Sequence, residues 1–370
     1  MNKYDVAAYI WPAYTGKEIR SRIFWPDGIG EWQTVKREHK KPEHNYDWCR
    51  KPLWGYVDEA DPKVMEMQIN EAKKHGVNVF IYDWYWYDSR PFLENCLNDG
   101  FLKAKNCNDM KFYIMWANHD VGYTWDFRLS GREDTAFWQG AVTEEQFKII
   151  GKRWIDQYFT KENYYKIDGK PVVSIYDLGN FVNGLGGTEK AIENMNWLKE
   201  EAKKQGLKGV HFQLIKWGEH PINFSGVDGG AKPLSPEVVK KMQFDSLTHY
   251  QFIHFAERMG DYKEIVEIAE NEWKKTSETY DIPYFPHVSI GWDNNIRFET
   301  VYAPHIYYNN TPDKVKIALE KAKTFADKNC NHPLITINSW NEWTENSYLE
   351  PDDVNGYGYL EAVKSVFVDK

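Results

Sequence analysis

Two glutamates three residues apart, Glu342 and Glu345, stand among tryptophans in the run Trp340-Asn341-Glu342-Trp343-Thr344-Glu345. If that run makes a helical turn, side chains three apart share a face at about 5–6 Å between β-carbons. Two carboxyls that close push their pKa values apart, leaving one as a base and one as an acid near neutral pH. The plainer alternative is a pair of solvated loop carboxylates or a salt bridge. The setting favours chemistry. The preceding run, Pro333-Leu334-Ile335-Thr336-Ile337-Asn338, is apolar, β-branched and of strand length, so the two acids stand at the exit of a buried strand.

Seven more strand-like runs precede this one, at 6–11, 77–83, 111–116, 171–177, 209–215, 245–250 and 284–293. Helical patterns lie between them at 62–75, 90–105, 143–158, 188–205, 262–280 and 312–328, with a shorter helical tail at 357–367. Asp61 can cap the first of these with Pro62 at its opening position, and Gly76 stops it. Strands separated by helices imply parallel βαβ units, and eight of them imply a closed α/β barrel, a single (β/α)8 TIM barrel. A doubly wound open sheet is the alternative. No linker or repeat interrupts the chain, so one domain is expected over residues 1–370. The first strand is followed by a long irregular segment to about Asp58 containing Trp25, Pro26, Trp32, Pro42, Trp48, Pro52 and Trp54. A loop of that length in a compact protein is usually functional, and it reads as a substrate-side excursion.

Barrel active sites sit at the C-terminal ends of the strands. Those ends carry Tyr9 and Trp11, then Asp83, Trp84 and Tyr85, then Trp116 and Asn118, then Tyr176 and Asp177. Gln213 and Lys216 follow on strand five, His249 and Tyr250 on strand six, Trp292 and Asp293 on strand seven, and Trp340 and Asn341 beside the glutamates. An aromatic ring beside an amide or acid at nearly every strand end suits a sugar, which offers both C–H faces and hydroxyls. Asp83 could bind a sugar hydroxyl. His249 is as well read as a satisfied core histidine, and Glu350 as a brace for its loop.

The composition fits that reading. Aromatic residues make up 16% of the 370, including 17 Trp and 24 Tyr, more Trp than core packing ordinarily needs. The balance of 46 basic and 55 acidic residues argues against nucleic acid or an anionic membrane as the main partner. No apolar run approaches the roughly 18 residues of a membrane span. The four cysteines have no Cys-x-x-Cys spacing, so neither a disulfide framework nor a zinc site is expected. No metal or cofactor motif is found, and Walker A, His-Glu-x-x-His and Gly-x-Ser-x-Gly patterns are missing. The sequence as written enters a strand at once. It therefore reads as cytoplasmic, or as periplasmic or cell-surface if a leader has been removed.

Trp340 to Glu345, followed by Leu349-Glu350-Pro351, resembles the Trp-Asn-Glu-Trp-x-Glu…(Ile/Leu)-Glu-Pro signature of glycoside hydrolase family 99. Phe80 to Trp86, Trp116-Ala117-Asn118 and Gly291-Trp292-Asp293-Asn294 are similar to a sister group, the 99-like or WbsX-type proteins of bacterial polysaccharide loci. The resemblance implies a (β/α)8 barrel that acts on α-linked mannose-type sugars with retention, and the function expected is a retaining α-glycosidase on manno- or rhamno-configured glycans. It implies Glu342 as the base toward the sugar's own 2-hydroxyl, which attacks the anomeric carbon to form a 1,2-anhydro sugar. It implies Glu345 as the acid at the leaving oxygen and then the base toward water. Where family 99 commonly has His between the second Trp and the second Glu, this chain has Thr344. Two other functions remain open at this point. One is a glycosyltransferase of surface-polysaccharide assembly, against which stands the lack of any Asp-x-Asp. The other is a catalytically silent glycan-binding barrel.

Overall fold

A computed structural model describes residues 3–38, 50–122, 125, 137–218, 222–224, 230–232, 234–298 and 304–369. Among them, eight parallel strands form a ring: β1 (Asp5–Ile10), β2 (Val79–Tyr87), β3 (Lys111–Trp116), β4 (Lys170–Ile175), β5 (His211–Ile215), β6 (Ser246–Thr248), β7 (His287–Ser289) and β8 (Leu334–Asn338). Their order in space is β6-β5-β4-β3-β2-β1-β8-β7, each strand beside its sequence neighbours and the first beside the last. The remaining seam closes through a parallel bridge between Leu247 and Tyr284. There Leu247 N–H donates to Pro283 O and Phe285 N–H to Leu247 O, both at 2.9 Å. The protein is a TIM barrel.

The strands form because nearly every residue in them is buried on one side against the barrel interior and on the other against helices. β2, Val-Phe-Ile-Tyr-Asp-Trp-Tyr-Trp-Tyr, is buried along its whole length. The helices present one apolar stripe to that wall. Pro62–Lys74 buries Met65, Gln68, Ile69 and Ala72, and the Asp61 side chain caps it by accepting from Lys63 N–H. Glu144–Trp154, Thr188–Lys204, Tyr262–Thr279 and Pro312–Asn329 repeat the pattern around the ring, and Gly358–Phe367 packs on the last of these. No helix among the described residues is long and apolar enough to cross a membrane.

Three local expectations change. The helix expected over 90–105 is absent. Arg90–Phe92 instead pairs antiparallel with the end of β2, and short π- and 3-10-helical turns follow at Cys96–Gly100, Phe101–Lys103 and Cys107–Asp109. β2 runs past the barrel rim to Tyr87, and the backbone of its last three residues, beyond the pairing with β3, is satisfied by Arg90–Phe92 instead. Short helices that the sequence reading passed over stand at Leu178–Leu185 and Pro236–Met242. The excursion after β1 is not structureless: it holds a turn at Ile19–Ile23 and a helix at Trp32–Arg37. Its residues 39–49, including Pro42 and Trp48, lie outside the described residues.

Candidate active site

At the C-terminal mouth of the barrel, the chain after β8 makes a two-residue pairing, Asn341–Glu342 with Ser347–Tyr348, around a 3-10 turn at Trp343–Glu345. This tight turn directs Glu342 and Glu345 into one cavity of about 230 Å³. Both are nearly buried, 2% and 9% exposed. The turn is bolted from below. Ser339 Oγ accepts from Glu342 N–H at 2.7 Å, and Tyr14 Oη accepts from Trp343 N–H at 3.1 Å. The Asn341 amide donates to Glu59 and to the Trp11 carbonyl, and accepts from Trp11 N–H at 2.8 Å. Trp343 Nε1 donates to Glu350 at 2.7 Å, and Gln68 Nε2 donates to both Glu350 and Glu59. Glu350 therefore braces its loop. Burial pushes Glu350 well above the ordinary carboxylate range and Glu59 up to about 7, in Glu59 against the hydrogen bonds from Asn341 and Gln68.

A single cation organises the pair. Arg297, 7% exposed, donates from Nη2 to Glu342 Oε1 at 2.7 Å and from Nη1 to Glu345 Oε1 at 2.9 Å. Its Nε reaches Glu31 Oε1 at 3.3 Å, and Glu31 also accepts from the Trp11 indole N–H. The salt-bridge alternative is thus partly realised, but inside a cavity and not on a solvated loop. Burial, then the Glu345 carboxylate, pushes Glu342 well above its ordinary value, with Arg297 opposing. Burial likewise raises Glu345 against Arg297. Two carboxyls this close titrate as a coupled pair, and their shared burial favours the singly protonated form over the doubly ionised one. Glu345 Oε2 is buried with no hydrogen-bond partner within 3.5 Å among the described residues. Thr344 is fully buried behind the turn.

Asp83 faces the same cavity from β2. Its Oδ2 accepts from Tyr250 Oη at 2.9 Å, while Oδ1 is buried and unpartnered among the described residues. Burial pushes it well above the ordinary carboxylate range, the Tyr250 hydroxyl opposing. Tyr250 Oη also lies 3.5 Å from Glu342 Oε2, linking the two acids. Trp11, Tyr85, Tyr176, His119, Trp125 and Trp217 supply most of the remaining wall.

The structure separates the other residues singled out from sequence. Trp84 turns outward to donate to Glu94 and pack on Trp154, because Asp83 and Tyr85 on either side of it point inward and strand side chains alternate. Trp116 faces the helix layer for the same reason, against Trp154, Phe147 and Phe181. Trp340 packs outward on Phe80 and donates to Gln68. Tyr9 lies beneath the cavity floor, its hydroxyl on the His249 carbonyl and its ring on Tyr250. His249 is a core histidine: Nδ1 meets Tyr284 Oη at 2.8 Å, and burial lowers the ring to about 4. Asn118 and Asp177 tie two strand ends together, Asn118 Oδ1 accepting from Asp177 N–H and its amide donating to Asp177 O. Asp177 also caps the Leu178–Leu185 helix. Asp293 accepts from Asn295, shaping the turn that carries Arg297, and donates its N–H to the Glu345 carbonyl. Trp292 is half-buried against the core. Arg297, Glu31 and Trp217 had gone unnoticed in the sequence. The one signal for Trp217 was its place next to Lys216 at the end of β5.

With this geometry in view, comparison with known proteins supplies the family. The model of a family described as glycosyltransferase WbsX matches residues 6–363. The chain belongs to the WbsX family. Within the match, this WbsX chain is 24% identical over 349 residues to the protein WxcX of Xanthomonas campestris pv. campestris, covering 92% of this chain and 46% of that protein. The chain thus spans about half the length of the curated relatives it matches. Two solved structures share the fold. One is a glycoside hydrolase-like protein, with TM-score 0.59 and 13% identity over 99% of this chain and 94% of that one. The other is the GH99 endo-alpha-mannosidase of Bacteroides thetaiotaomicron, with TM-score 0.57 and 14% identity over 97% of this chain and 95% of that one. At these identities the likeness is one of fold.

Proposed function

We propose that this WbsX chain is a retaining α-glycoside hydrolase acting on manno- or rhamno-configured oligo- or polysaccharides, with the substrate's own 2-hydroxyl as nucleophile. The observation that carries this reading is the pair Glu342 and Glu345, bound to one buried guanidinium at the wall of an aromatic-lined cavity. The Bacteroides barrel that shares its fold is named an endo-alpha-mannosidase, which agrees with it.

In the first step, ionised Glu342 takes the proton from the sugar O2. That oxygen attacks C1 from the face opposite the leaving oxygen, the C1–oxygen bond breaks, and protonated Glu345 delivers its proton to the departing oxygen. The products are a 1,2-anhydro sugar, a protonated Glu342 and an ionised Glu345. In the second step Glu345 takes a proton from water, whose oxygen attacks C1. The C1–O2 bond opens and O2 recovers its proton from Glu342. Two inversions give net retention, and no enzyme atom bonds to the sugar, so the carboxylate spacing of double-displacement glycosidases is not required. The unpartnered Oε2 of Glu345 suits the acid role. Arg297 keeps a compensating positive charge beside whichever glutamate is ionised, which limits the cost of moving the proton between them.

Glu345→Gln tests the acid assignment. The variant is expected to lose at least about a hundredfold in turnover of α-linked manno- or rhamno-oligosaccharides, as removal of a general acid typically does. Full turnover in the variant would remove Glu345 from the mechanism. A second reading, glycosyl transfer, is favoured by the family's description. It predicts a lengthened glycan instead of free reducing sugar in the same assay.

A further inference from the structure

The cavity beside the glutamates is smaller than the roughly 300–1,000 Å³ of pockets that enclose a ligand of several rings. A sugar linked to one held beside the glutamates therefore lies toward the mouth of the cavity. At its rim stands Trp217, in the connection just after β5, with 38% of its surface exposed. An exposed indole ordinarily samples several orientations, but this one is fixed on three sides. Its ring lies on the His254 imidazole with centroids 4.1 Å apart and planes 2° from parallel. Its Nε1 donates to the Tyr176 carbonyl at 3.0 Å, and the Tyr176 ring meets it edge-on at 5.0 Å. Tyr176 Oη in turn lies 3.4 Å from His254 Nε2, joining the three rings into one cluster. That cluster borders the cavity, since Tyr176 and Trp217 both line it. A flat, rigid, half-exposed indole loses little entropy when a pyranose C–H face settles on it.

We infer that Trp217 is the platform of a second sugar subsite, so that the substrate is a chain with one residue in the cavity beside Glu342 and Glu345 and the next stacked on the rim. This rests on the function proposed above for the placement of the first sugar. The stacked indole recognises the C–H face and not the hydroxyl pattern, so this subsite is tolerant of sugar identity, and discrimination falls to Asp83 and the glutamates inside.

Binding, read separately from turnover, tests the inference. Isothermal titration would compare methyl α-mannoside and methyl α-rhamnoside with α-linked manno- and rhamno-oligosaccharides of two to four residues, in the Glu345→Gln background to suppress turnover, with wild-type Trp217, Trp217→Ala or Trp217→Phe. With Trp217 intact, the protein is expected to favour an oligosaccharide over the matching methyl glycoside by about tenfold or more, the factor that ~1.4 kcal/mol provides. Trp217→Ala is expected to collapse that ratio toward one, and Trp217→Phe, which keeps a ring, to restore part of it. A protein with Trp217 intact that gains nothing from chain length would overturn the inference, as would a Trp217→Ala variant that keeps the full ratio. Chain-length-dependent binding without cleavage by the wild-type protein would leave the subsite standing while removing the hydrolase.

Discussion

Replacing Arg297 with Met removes the guanidinium that reaches Glu31, Glu342 and Glu345 while keeping an unbranched side chain. Burial already raises Glu342 and Glu345 in the presence of that cation. Without it, the folded site takes up about one more proton at neutral pH, while the unfolded glutamates, with pKa near 4.3, stay ionised. A carboxyl raised in the folded state contributes stability that is present below its unfolded pKa and lost as pH rises through its folded value. A folded variant that binds one extra proton therefore falls behind the wild type by about 1.4 kcal/mol for each pH unit. From roughly pH 5.5 to pH 7.5 the deficit grows by ~3 kcal/mol, close to the ~3–5 kcal/mol typical of breaking a buried ion pair. For a chain of 370 residues, an unfolding entropy of about 2.1 cal/mol/K per residue turns that into a further ~4 °C of Tm difference. Scanning calorimetry of both proteins at the two pH values measures it. Arg297→Lys should recover only part, because an ammonium cannot make the forked contacts. A Tm gap that stays constant or narrows as pH rises would refute the reasoning.

Burial pushes Asp83 well above the ordinary carboxylate range, toward its neutral form. Asp83→Asn should therefore change urea-denaturation stability by less than ~1 kcal/mol, whereas Asp83→Leu strands the Tyr250 hydroxyl and costs ~1–3 kcal/mol; equal losses would show that Asp83 is ionised. Asn341→Ala leaves buried backbone groups of Trp11 without their partner. A loss of ~2 kcal/mol or more in stability is expected, with kcat falling further than KM rises because Glu342 is the next residue. A variant with unchanged kcat would show that the Asn341 brace does not set the glutamate's position.

The barrel was readable because each β-branched or aromatic run of strand length is buried on both faces, as in β2 and β8. Part of the candidate site was legible where chemistry and spacing coincide: the structure brings Glu342 and Glu345 together with Trp11, Asp83, Tyr85, Tyr176 and Tyr250 around one cavity. Reading every ring at a strand end as facing the ligand overlooked the period of two. That alternation sends Trp84 and Trp116 into the helix layer while Asp83, Tyr85 and Met115 face in. Arg297 was invisible for a different reason. It sits in an irregular turn after β7, shaped by Asp293 and Asn295, and nothing in its immediate sequence points to glutamates 45 and 48 residues further on. Glu31 likewise arrives from the excursion after β1, whose path over the barrel mouth depends on contacts such as Trp25 with Trp11 and Trp32 with Tyr14. Such contacts between distant segments carry no local pattern.

The central claim is that Glu342 and Glu345 cleave an α-glycoside through attack by the sugar's own 2-hydroxyl, with net retention. Proton NMR of the wild-type protein acting on an α-linked manno- or rhamno-oligosaccharide tests it most directly, because the anomeric signals of the first-formed product can be read before mutarotation. The account predicts that the α-anomer appears first and the β-anomer only later, as the two equilibrate. A β-anomer appearing first would mean a single displacement by water and would contradict it.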